Sequence, residues 1–409
     1  MDLTGFLSLF IAAGCFAGIS FTALAVPEKP DGSLMKTVNK NNVKSKNNHK
    51  DSIMDIEKLD RYMARRKVDR AGLEFYDPRD GKFAVEGLYW FPLDKRYHRL
   101  PVGSEQNVRS AVNELARCTA GAQIRFVSDS RRIVISARNS NVKTSATMAE
   151  TGRSGFDLYC GTPGEDEEFW NTARPVPGET VFVEEVFNVP EKKMRHFRIN
   201  FPLYNGVEEF FIGLEDSAQI LPPAPLKDSR PIVIYGTSIT QGGCASRPGS
   251  AFTNILSRKL QREFLNFGFS GNGQNHLEVA EILSQIKNPA MFILDSEANS
   301  VSAALIRERV PRFLDIIRKA YPDIPILVLS KIPYGKRYAV ELPSYKEEFR
   351  AIVEQKQAAG DKNIYFIDGS KFFDAADYSE NTVDGAHPTD RGFAQMAQKL
   401  EVELRKFFP

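Results

Sequence analysis

The first half of the chain alternates hydrophobic and polar residues over short segments. Five segments show the two-residue period of half-buried strands: Gln123–Phe126, Arg132–Ser136, Thr180–Val186, His196–Phe201 and Glu208–Gly213. Glycine, proline, asparagine and aspartate separate them, and one helix is expected at Asn107–Ala116. Because many short strands with few helices are typical of a β-sandwich, we predict this fold for residues 56–221.

The second half changes to longer apolar runs separated by helical patterns. Strands are expected at Ile232–Tyr235, Phe264–Phe267, Met291–Asp295, Ile324–Leu329 and Ile364–Ile367. Helices are expected between them, notably at Ala251–Phe264 and Ser302–Ala320. Uniformly apolar strands joined by crossover helices predict a parallel, three-layer α/β/α sandwich over residues 230–409. The proline-rich residues 222–229 connect the two predicted domains.

The N-terminal residues have the pattern of an export signal followed by a tether. Residues 1–25 are almost uncharged and apolar, and Ala23-Leu24-Ala25 fits a signal-peptidase site. A lipoprotein cleavage site at Cys15 and a retained membrane anchor are the alternatives. Residues 26–55 are rich in asparagine, lysine and serine, so we expect a flexible linker. Export, to the periplasm or the medium, is expected under all three hypotheses.

Composition narrows the class of protein. The chain has 409 residues, 42% of them hydrophobic, and a formal net charge of +2, which is ordinary for a globular protein and does not indicate nucleic-acid binding. The five histidines are scattered without ligand spacing, so no metal or other cofactor is expected. After export three cysteines remain, of which Cys118 and Cys160 could pair in an oxidising compartment.

Two short motifs carry candidate chemistry. Ser238 follows the apolar run Ile232–Tyr235 in a Gly-Thr-Ser turn that precedes a helix, and this context brings a serine hydroxyl to the carboxyl edge of a parallel sheet. Near the C-terminus, Asp384 and His387 lie three residues apart in a loop before Pro388. Since a serine needs a base, and that base needs an orienting group, the two motifs together predict a Ser-His-Asp triad.

These residues resemble the four sequence blocks of the SGNH, or GDSL-type, hydrolases. The blocks are Gly236–Thr240, Asn266–Gly273, Asp295–Asn299 and Asp384–Pro388. The third block, Asp-Ser-Glu-Ala-Asn, differs from the usual Gly-x-Asn-Asp, and Thr237 stands where many members have aspartate. Upstream, the strip Ser154–Tyr159 is similar to the Gly-x-Asp-Leu-Tyr signature of an N-terminal domain that accompanies some of these hydrolases.

The resemblance implies a fold and a set of roles. It implies a flavodoxin-like α/β/α domain preceded by a jelly-roll-like β-sandwich. Ser238 would be the nucleophile, His387 the general base and Asp384 its orienting partner. The backbone N–H groups of Ser238 and Gly271 and the amide of Asn299 would form the oxyanion hole.

Function follows from the family and the export signal. We expect a secreted serine esterase that removes acyl groups, most simply acetyl, from a carbohydrate or another small ester. The alternatives are an acyltransferase with the same triad, a catalytically silent carbohydrate-binding protein and a lipase-like enzyme.

Further residues are weaker candidates. Arg247 could hold a substrate oxygen or form a salt bridge across the domain boundary, and His276 could line the mouth of the site or cap a helix. Asp295 and Glu297 are expected to support the site through hydrogen bonds. Trp90 and Trp170 could stack on sugars, although core packing is the favoured expectation for both.

Overall fold

The computed structural model describes residues 60, 64, 67–162, 166–373 and 377–408. From residue 64 onward the described residues belong to one compact unit. The expected export signal and linker, residues 1–55, lie outside the described part of the chain. No helix among the described residues is both long enough and apolar enough to cross a bilayer.

The N-terminal half is a β-sandwich, as the alternating pattern predicts. Its strands are β1 (Leu73–Tyr76), β2 (Ala84–Glu86), β3 (Gln123–Ser128), β4 (Arg132–Asn139), β5 (Phe156–Gly161), β6 (Glu168–Ala173), β7 (Val181–Asn188), β8 (Arg195–Asn200), β9 (Val207–Glu215) and β10 (Ile220–Leu221). In the described residues one antiparallel sheet has the order β1-β9-β4-β7. The other has the order β10-β3-β8-β5-β6, with β2 also paired to β3.

A core rich in aromatic residues fills the space between the two sheets. Phe156 contacts Phe210 and Phe201, with ring centroids 4.8 and 5.0 Å apart. Phe197 stacks on Phe126 in the same cluster. The helices of this half are short: Phe91–Asp94, Ser110–Ala116 and Glu150–Arg153. The helix expected from Asn107 begins three residues later, at Ser110.

The C-terminal half contains a parallel sheet with every expected strand. The strands are β11 (Asp228–Gly236), β12 (Arg262–Gly268), β13 (Met291–Asp295), β14 (Ile326–Leu329) and β15 (Ile364–Ile367). Among the described residues their order is β12-β11-β13-β14-β15, which is 2-1-3-4-5 when counted within this half. This is the flavodoxin-like order, in which sites form where neighbouring crossovers leave the first strand in opposite directions.

Helices cover both faces of this sheet. The main ones are Phe252–Leu260, Leu277–Leu283, Ala303–Ala320, Lys346–Ala358 and Asp390–Leu404, and the shorter ones are Ser238–Gln241, Lys336–Glu341 and Tyr378–Asn381. Alternate residues of β11 point to opposite faces. Ile234 lies in the cluster that contains Phe252 and Met396, whereas Tyr235 packs on Phe313. Two separate cores, one on each face, make the three-layer sandwich.

One helix is shorter than its hydrophobic spacing predicts. The helix expected over Ala251–Phe264 ends at Leu260, where Gln261 has a left-handed φ of 50° and closes the last turn. Phe264 fits the helical spacing but already belongs to β12, which begins at Arg262. The apolar pattern therefore runs continuously from helix into strand, and the backbone reversal at Gln261 separates the two.

Residues of the N-terminal half enter the core of the C-terminal half. Trp90 is 7% exposed and packs edge-to-face on Phe267 of β12, so the expectation of core packing is confirmed for it. Trp170, on the edge strand β6, is 45% exposed, so the same expectation is wrong there. An edge strand has a neighbour on one side, and solvent reaches the Trp170 ring although one side of it packs on Phe187.

Candidate active site

Ser238 is the first residue of a short helix directly after β11. Thr237 caps this helix, and its side chain accepts a hydrogen bond from the Ile239 N–H. Gly236 is needed at the turn because a Cβ there would lie 2.0 Å from Thr240 Oγ1. The turn presents the Ser238 hydroxyl at the carboxyl edge of the sheet, as its sequence context predicts.

The two sequence motifs meet in space. Ser238 Oγ lies 2.9 Å from His387 Nε2, and His387 Nδ1 lies 2.8 Å from Asp384 Oδ2. The backbone N–H groups of His387 and Ala386 both donate to Asp384 Oδ1, at 2.8 and 3.0 Å. The carboxylate is therefore fixed within its own loop before it orients the imidazole.

The charge state of Asp384 follows from these bonds. Partial burial acts to raise its pKa, but the hydrogen bonds from His387 and Ala386 outweigh burial, and its pKa lies below the usual range. An ionised carboxylate accepts and cannot donate, so His387 Nδ1 carries the proton. His387 Nε2 is then the acceptor for the Ser238 hydroxyl, which is the arrangement required of a general base.

The second and third blocks lie on either side of the nucleophile. They begin in the last residues of β12 and β13, the two strands that flank β11. Gly271 has a positive φ of 67°. The loop passes so close to the Ser238 turn that a Cβ on Gly273 would lie 2.3 Å from the Gly236 carbonyl oxygen.

Asn299 has a defined orientation. Its Oδ1 accepts a hydrogen bond from the Gly273 N–H, at 3.1 Å. Since a backbone N–H only donates, the facing atom must be the amide oxygen, and Nδ2 remains as a donor. Within the described part of the chain neither Asn299 Nδ2 nor the Gly271 N–H has a hydrogen-bond partner. Two of the three groups predicted for the oxyanion hole, Gly271 and Asn299, thus retain a free donor.

Two acidic residues, Asp295 and Glu297, hold the segments around the site through hydrogen bonds, as expected. Thr240 Oγ1 donates to Asp295 Oδ2 at 2.6 Å, and burial raises the pKa of Asp295 to about 6. Glu297 accepts from the backbone N–H groups of Lys331 and Tyr345, both at 2.8 Å. These bonds join the loops that follow β13 and β14.

Arg247 bridges the two halves of the molecule. Its Nη1 lies 3.0 Å from Asp157 Oδ2 and also donates to the Tyr159 hydroxyl. Asp157 further accepts the Gly249 N–H at 2.7 Å. The Asp-Leu-Tyr part of the upstream strip therefore binds the loop after the nucleophile helix. This is the salt bridge that the sequence left as one of two alternatives for Arg247.

His276 lies at the start of the helix Leu277–Leu283. Its Nε2 is 3.0 Å from Arg109 Nη1, a residue of the N-terminal half. Substrate contacts by His276 and Arg247 stay predictions. Cys118, Cys160 and Cys244 are free thiols, so the pairing considered for Cys118 and Cys160 is not formed. No cluster of three or more metal-binding side chains occurs among residues that the structure describes.

One contact of the nucleophile has no signal in the sequence. Tyr204, from the loop between β8 and β9, donates its hydroxyl to the Ser238 carbonyl oxygen at 3.1 Å. The segment around it has the composition of an ordinary strand-to-strand turn, so sequence patterns do not separate it from other turns.

Comparison with known proteins identifies the family of this chain. The family model described as GDSL-like lipase/acylhydrolase matches residues 229–405, and the model for the N-terminus of SGNH-hydrolase-type esterases matches residues 73–220. The chain belongs to the GDSL-like, or SGNH, hydrolases. A search of curated proteins gave no match.

Solved structures of similar fold include esterases and a transferase. A GDSL-like lipase from Bacteroides ovatus ATCC 8483 is 28% identical, with a TM-score of 0.75, covering 82% of this chain and 98% of that one. The salicylyl-acyltransferase SsfX3 from a tetracycline biosynthetic pathway is 16% identical, with a TM-score of 0.68 and coverages of 83% and 98%. A family two carbohydrate esterase from Clostridium thermocellum, in complex with cellohexaose, is 14% identical, with a TM-score of 0.50 and coverages of 70% and 92%. This SGNH hydrolase is thus an esterase with an additional N-terminal sandwich.

Proposed function

We propose that this esterase hydrolyses acetyl esters of a carbohydrate through an acyl-enzyme on Ser238. The observation that carries the proposal is the continuous chain from Ser238 Oγ through the His387 ring to Asp384, with bonds of 2.9 and 2.8 Å. A catalytically silent protein has no need to keep these groups within hydrogen-bond distance, and this weighs against a purely binding role.

Acylation uses the groups in the order of their hydrogen bonds. His387 Nε2 takes the hydroxyl proton as Ser238 Oγ attacks the ester carbonyl, and ionised Asp384 stabilises the imidazolium. The carbonyl oxygen becomes an oxyanion facing the N–H groups of Ser238 and Gly271 and the Asn299 amide. As the intermediate collapses, His387 gives its proton to the leaving sugar alcohol, and the acetyl group stays on Ser238.

Deacylation repeats the cycle with water. His387 Nε2 removes a proton from the water molecule that attacks the acetyl carbonyl. The second intermediate breaks to release acetate, and Ser238 recovers its proton from His387. Each oxyanion-hole donor contributes about 3 kcal/mol to lowering the barrier.

The carbohydrate part of the proposal is supported by the fold and by the expected export. The C. thermocellum carbohydrate esterase, whose fold is similar, was crystallised with cellohexaose. An exported esterase meets acylated polysaccharides outside the cell, so we propose secretion or periplasmic export for this chain as well. Mass measurement of the protein recovered outside the cytoplasm tests export, since cleavage after Ala25 leaves a chain that begins at Val26.

Acetate release tests the activity. The chain from Val26 is incubated with p-nitrophenyl acetate and with a panel of acetylated xylan, mannan and cellulose. Ser238→Ala should lose essentially all release, whereas Ser257→Ala, the same chemical change at a buried serine bonded to Arg262 O and Gln123, should retain it. Release that survives Ser238→Ala would show that another residue is the nucleophile.

The same experiment separates hydrolysis from transfer. The SsfX3 fold neighbour is an acyltransferase, and transfer would use the same triad with an alcohol in place of water. With a sugar alcohol added, an esterase still releases acetate as its main product. Conversion of the donor mostly to a new ester would instead assign the protein as a transferase.

A further inference from the structure

The loop that carries Tyr204 is held firmly by the N-terminal sandwich. The backbone N–H of Leu203 donates to the Gly152 carbonyl at 3.1 Å, and that of Tyr204 donates to the Arg153 carbonyl at 3.0 Å. The Thr119 N–H donates to the Asn205 carbonyl at 3.2 Å. Three consecutive residues of the loop are thus tied to the sandwich before any contact with the triad is counted.

The Tyr204 hydroxyl contacts the backbone of Ser238 close to the ring of His387. The Ser238 carbonyl oxygen accepts from Tyr204 Oη at 3.1 Å and from the Gly243 N–H at 2.8 Å. A Cβ on Gly243 would lie 2.9 Å from Tyr204 Oη and 3.5 Å from His387 Cδ2. The phenol, the nucleophile backbone and the imidazole therefore converge on Gly243, where a side chain would not fit.

The same loop reaches the second sequence block. Gln241 Nε2 donates to the Leu203 carbonyl at 3.0 Å, and Gln241 Oε1 accepts the Ser270 N–H at 3.1 Å. Ser270 directly precedes Gly271, so Leu203 and Tyr204 connect the nucleophile turn to the oxyanion-hole loop.

We propose that Tyr204 is a positioning residue for the esterase reaction: from the sandwich domain, its hydroxyl fixes the Ser238 turn, while the neighbouring Leu203 fixes the Ser270–Gly271 loop through Gln241. Tyr204 acts through the Ser238 backbone, and it takes no proton from the substrate. This inference rests on the serine-esterase function proposed above. Its physical basis is that acyl transfer requires nucleophile and oxyanion donors to be held together to within a fraction of an ångström.

The Tyr204 hydroxyl stays protonated over the pH range in which the enzyme is expected to work. Burial raises the pKa of the Tyr204 phenol well above its usual value. The hydroxyl therefore remains a donor to Ser238 O at every pH at which the triad works. Its removal should shift the rate without adding a new ionisation to the pH profile.

The test is Tyr204→Phe in the chain from Val26, which removes the hydroxyl and keeps the ring. With p-nitrophenyl acetate, kcat should fall about tenfold or more, KM should stay within twofold, and the pH profile should keep its shape. The matched control is Tyr321→Phe, which removes a buried phenol that donates to the carbonyls of Leu283 and Ile286, on the face of the sheet away from the triad loop. It should lower the melting temperature and leave kcat unchanged.

Three outcomes would overturn the inference. These are an unchanged kcat in Tyr204→Phe, a KM effect without a kcat effect, or an equal loss of kcat in Tyr321→Phe. If Tyr204→Phe does not fold, Gln241→Met removes the bonds from Gln241 to the Leu203 carbonyl and the Ser270 N–H and should lower kcat by a similar factor, and normal kcat there also rejects the proposal. Failure of the function itself is distinct, because activity would then persist in Ser238→Ala.

Discussion

At the scale of single residues, the sequence identifies the candidate functional groups and the structure shows how each one is oriented. Ser238, Asp384 and His387 are recognisable from local motifs, and their hydrogen bonds define the tautomer of the base. Asn299 is the more informative case. Its role depends on which end of the amide faces the site, and the Gly273 N–H decides this by occupying Oδ1. A backbone contact across two loops thus selects the donor.

Asn299→Asp tests that orientation directly. The variant keeps an oxygen for the Gly273 N–H but replaces the donor with a second oxygen, which repels the oxyanion. We expect kcat on p-nitrophenyl acetate to fall by at least about 10²-fold. Asn363→Asp adds the same charge at the opposite edge of the sheet, where the amide donates to Asp323 O, and should leave kcat unchanged. Near-normal kcat in Asn299→Asp would remove Asn299 from the oxyanion hole.

At the scale of elements, β12 shows how one strand serves both halves. Its carboxyl end leads into the second sequence block, while Glu263 near its start accepts the Gly87 N–H of the sandwich at 2.7 Å. Burial raises the pKa of Glu263 to about 7, and the neighbouring Glu86 adds to the effect. The folded strand therefore holds a proton that the unfolded chain releases near the usual glutamate pKa of about 4.5.

This difference predicts a pH dependence of stability. Between about pH 4.5 and 7 the folded state binds more protons than the unfolded state, so the free energy of unfolding decreases as pH rises. Glu263→Gln, which is neutral at all pH values, should reduce the loss of stability between pH 5 and pH 8 by about 2 kcal/mol, allowing for the solvent that still reaches the side chain. Part of the pH dependence of stability remains in this variant, because the pKa of Asp295 is also raised.

Urea unfolding at the two pH values measures the effect. Glu281→Gln, at an exposed position of the helix Leu277–Leu283, serves as the control and should leave the slope unchanged. A Glu263→Gln variant with the wild-type slope would mean that Glu263 is ionised in the folded protein at pH 5.

At the scale of the whole molecule, the two halves are joined by buried polar contacts. The Arg99 guanidinium is 1% exposed and lies over the Phe269 ring. It donates to the carbonyls of Leu115 and Cys118 in the N-terminal half, at 2.6 and 2.8 Å. It also donates to those of Asn266 and Gly268 in β12, at 3.1 and 2.6 Å. A single side chain thus satisfies carbonyl groups of both halves at the start of the second sequence block.

Arg99→Met should therefore destabilise the whole molecule. The change keeps most of the side-chain volume but removes the guanidinium donor from four carbonyl oxygens, of which that of Leu115 keeps the Cys118 N–H, and we expect a loss of about 4 kcal/mol. Urea unfolding followed by tryptophan fluorescence provides the measurement, since Trp90 lies at the junction. Arg131→Met, which removes an exposed ion pair with Glu215, should cost less than about 1 kcal/mol. Equal effects of the two changes would contradict a joining role for Arg99.

The sequence by itself determined five of the ten described strands of the sandwich, all five described strands of the parallel sheet, and the Ser238, His387 and Asp384 side chains that meet in space. Alternation, apolar runs and turn chemistry are local properties, and the short blocks around Ser238 and His387 encode their own backbone conformations. Tertiary structure decided the rest: the end of the helix at Gln261, the exposure of Trp170, the bridge from Arg247 to Asp157, and the contact between Tyr204 and Ser238. These depend on how separate loops dock, and no local pattern records which side chain fills a space that a distant segment creates.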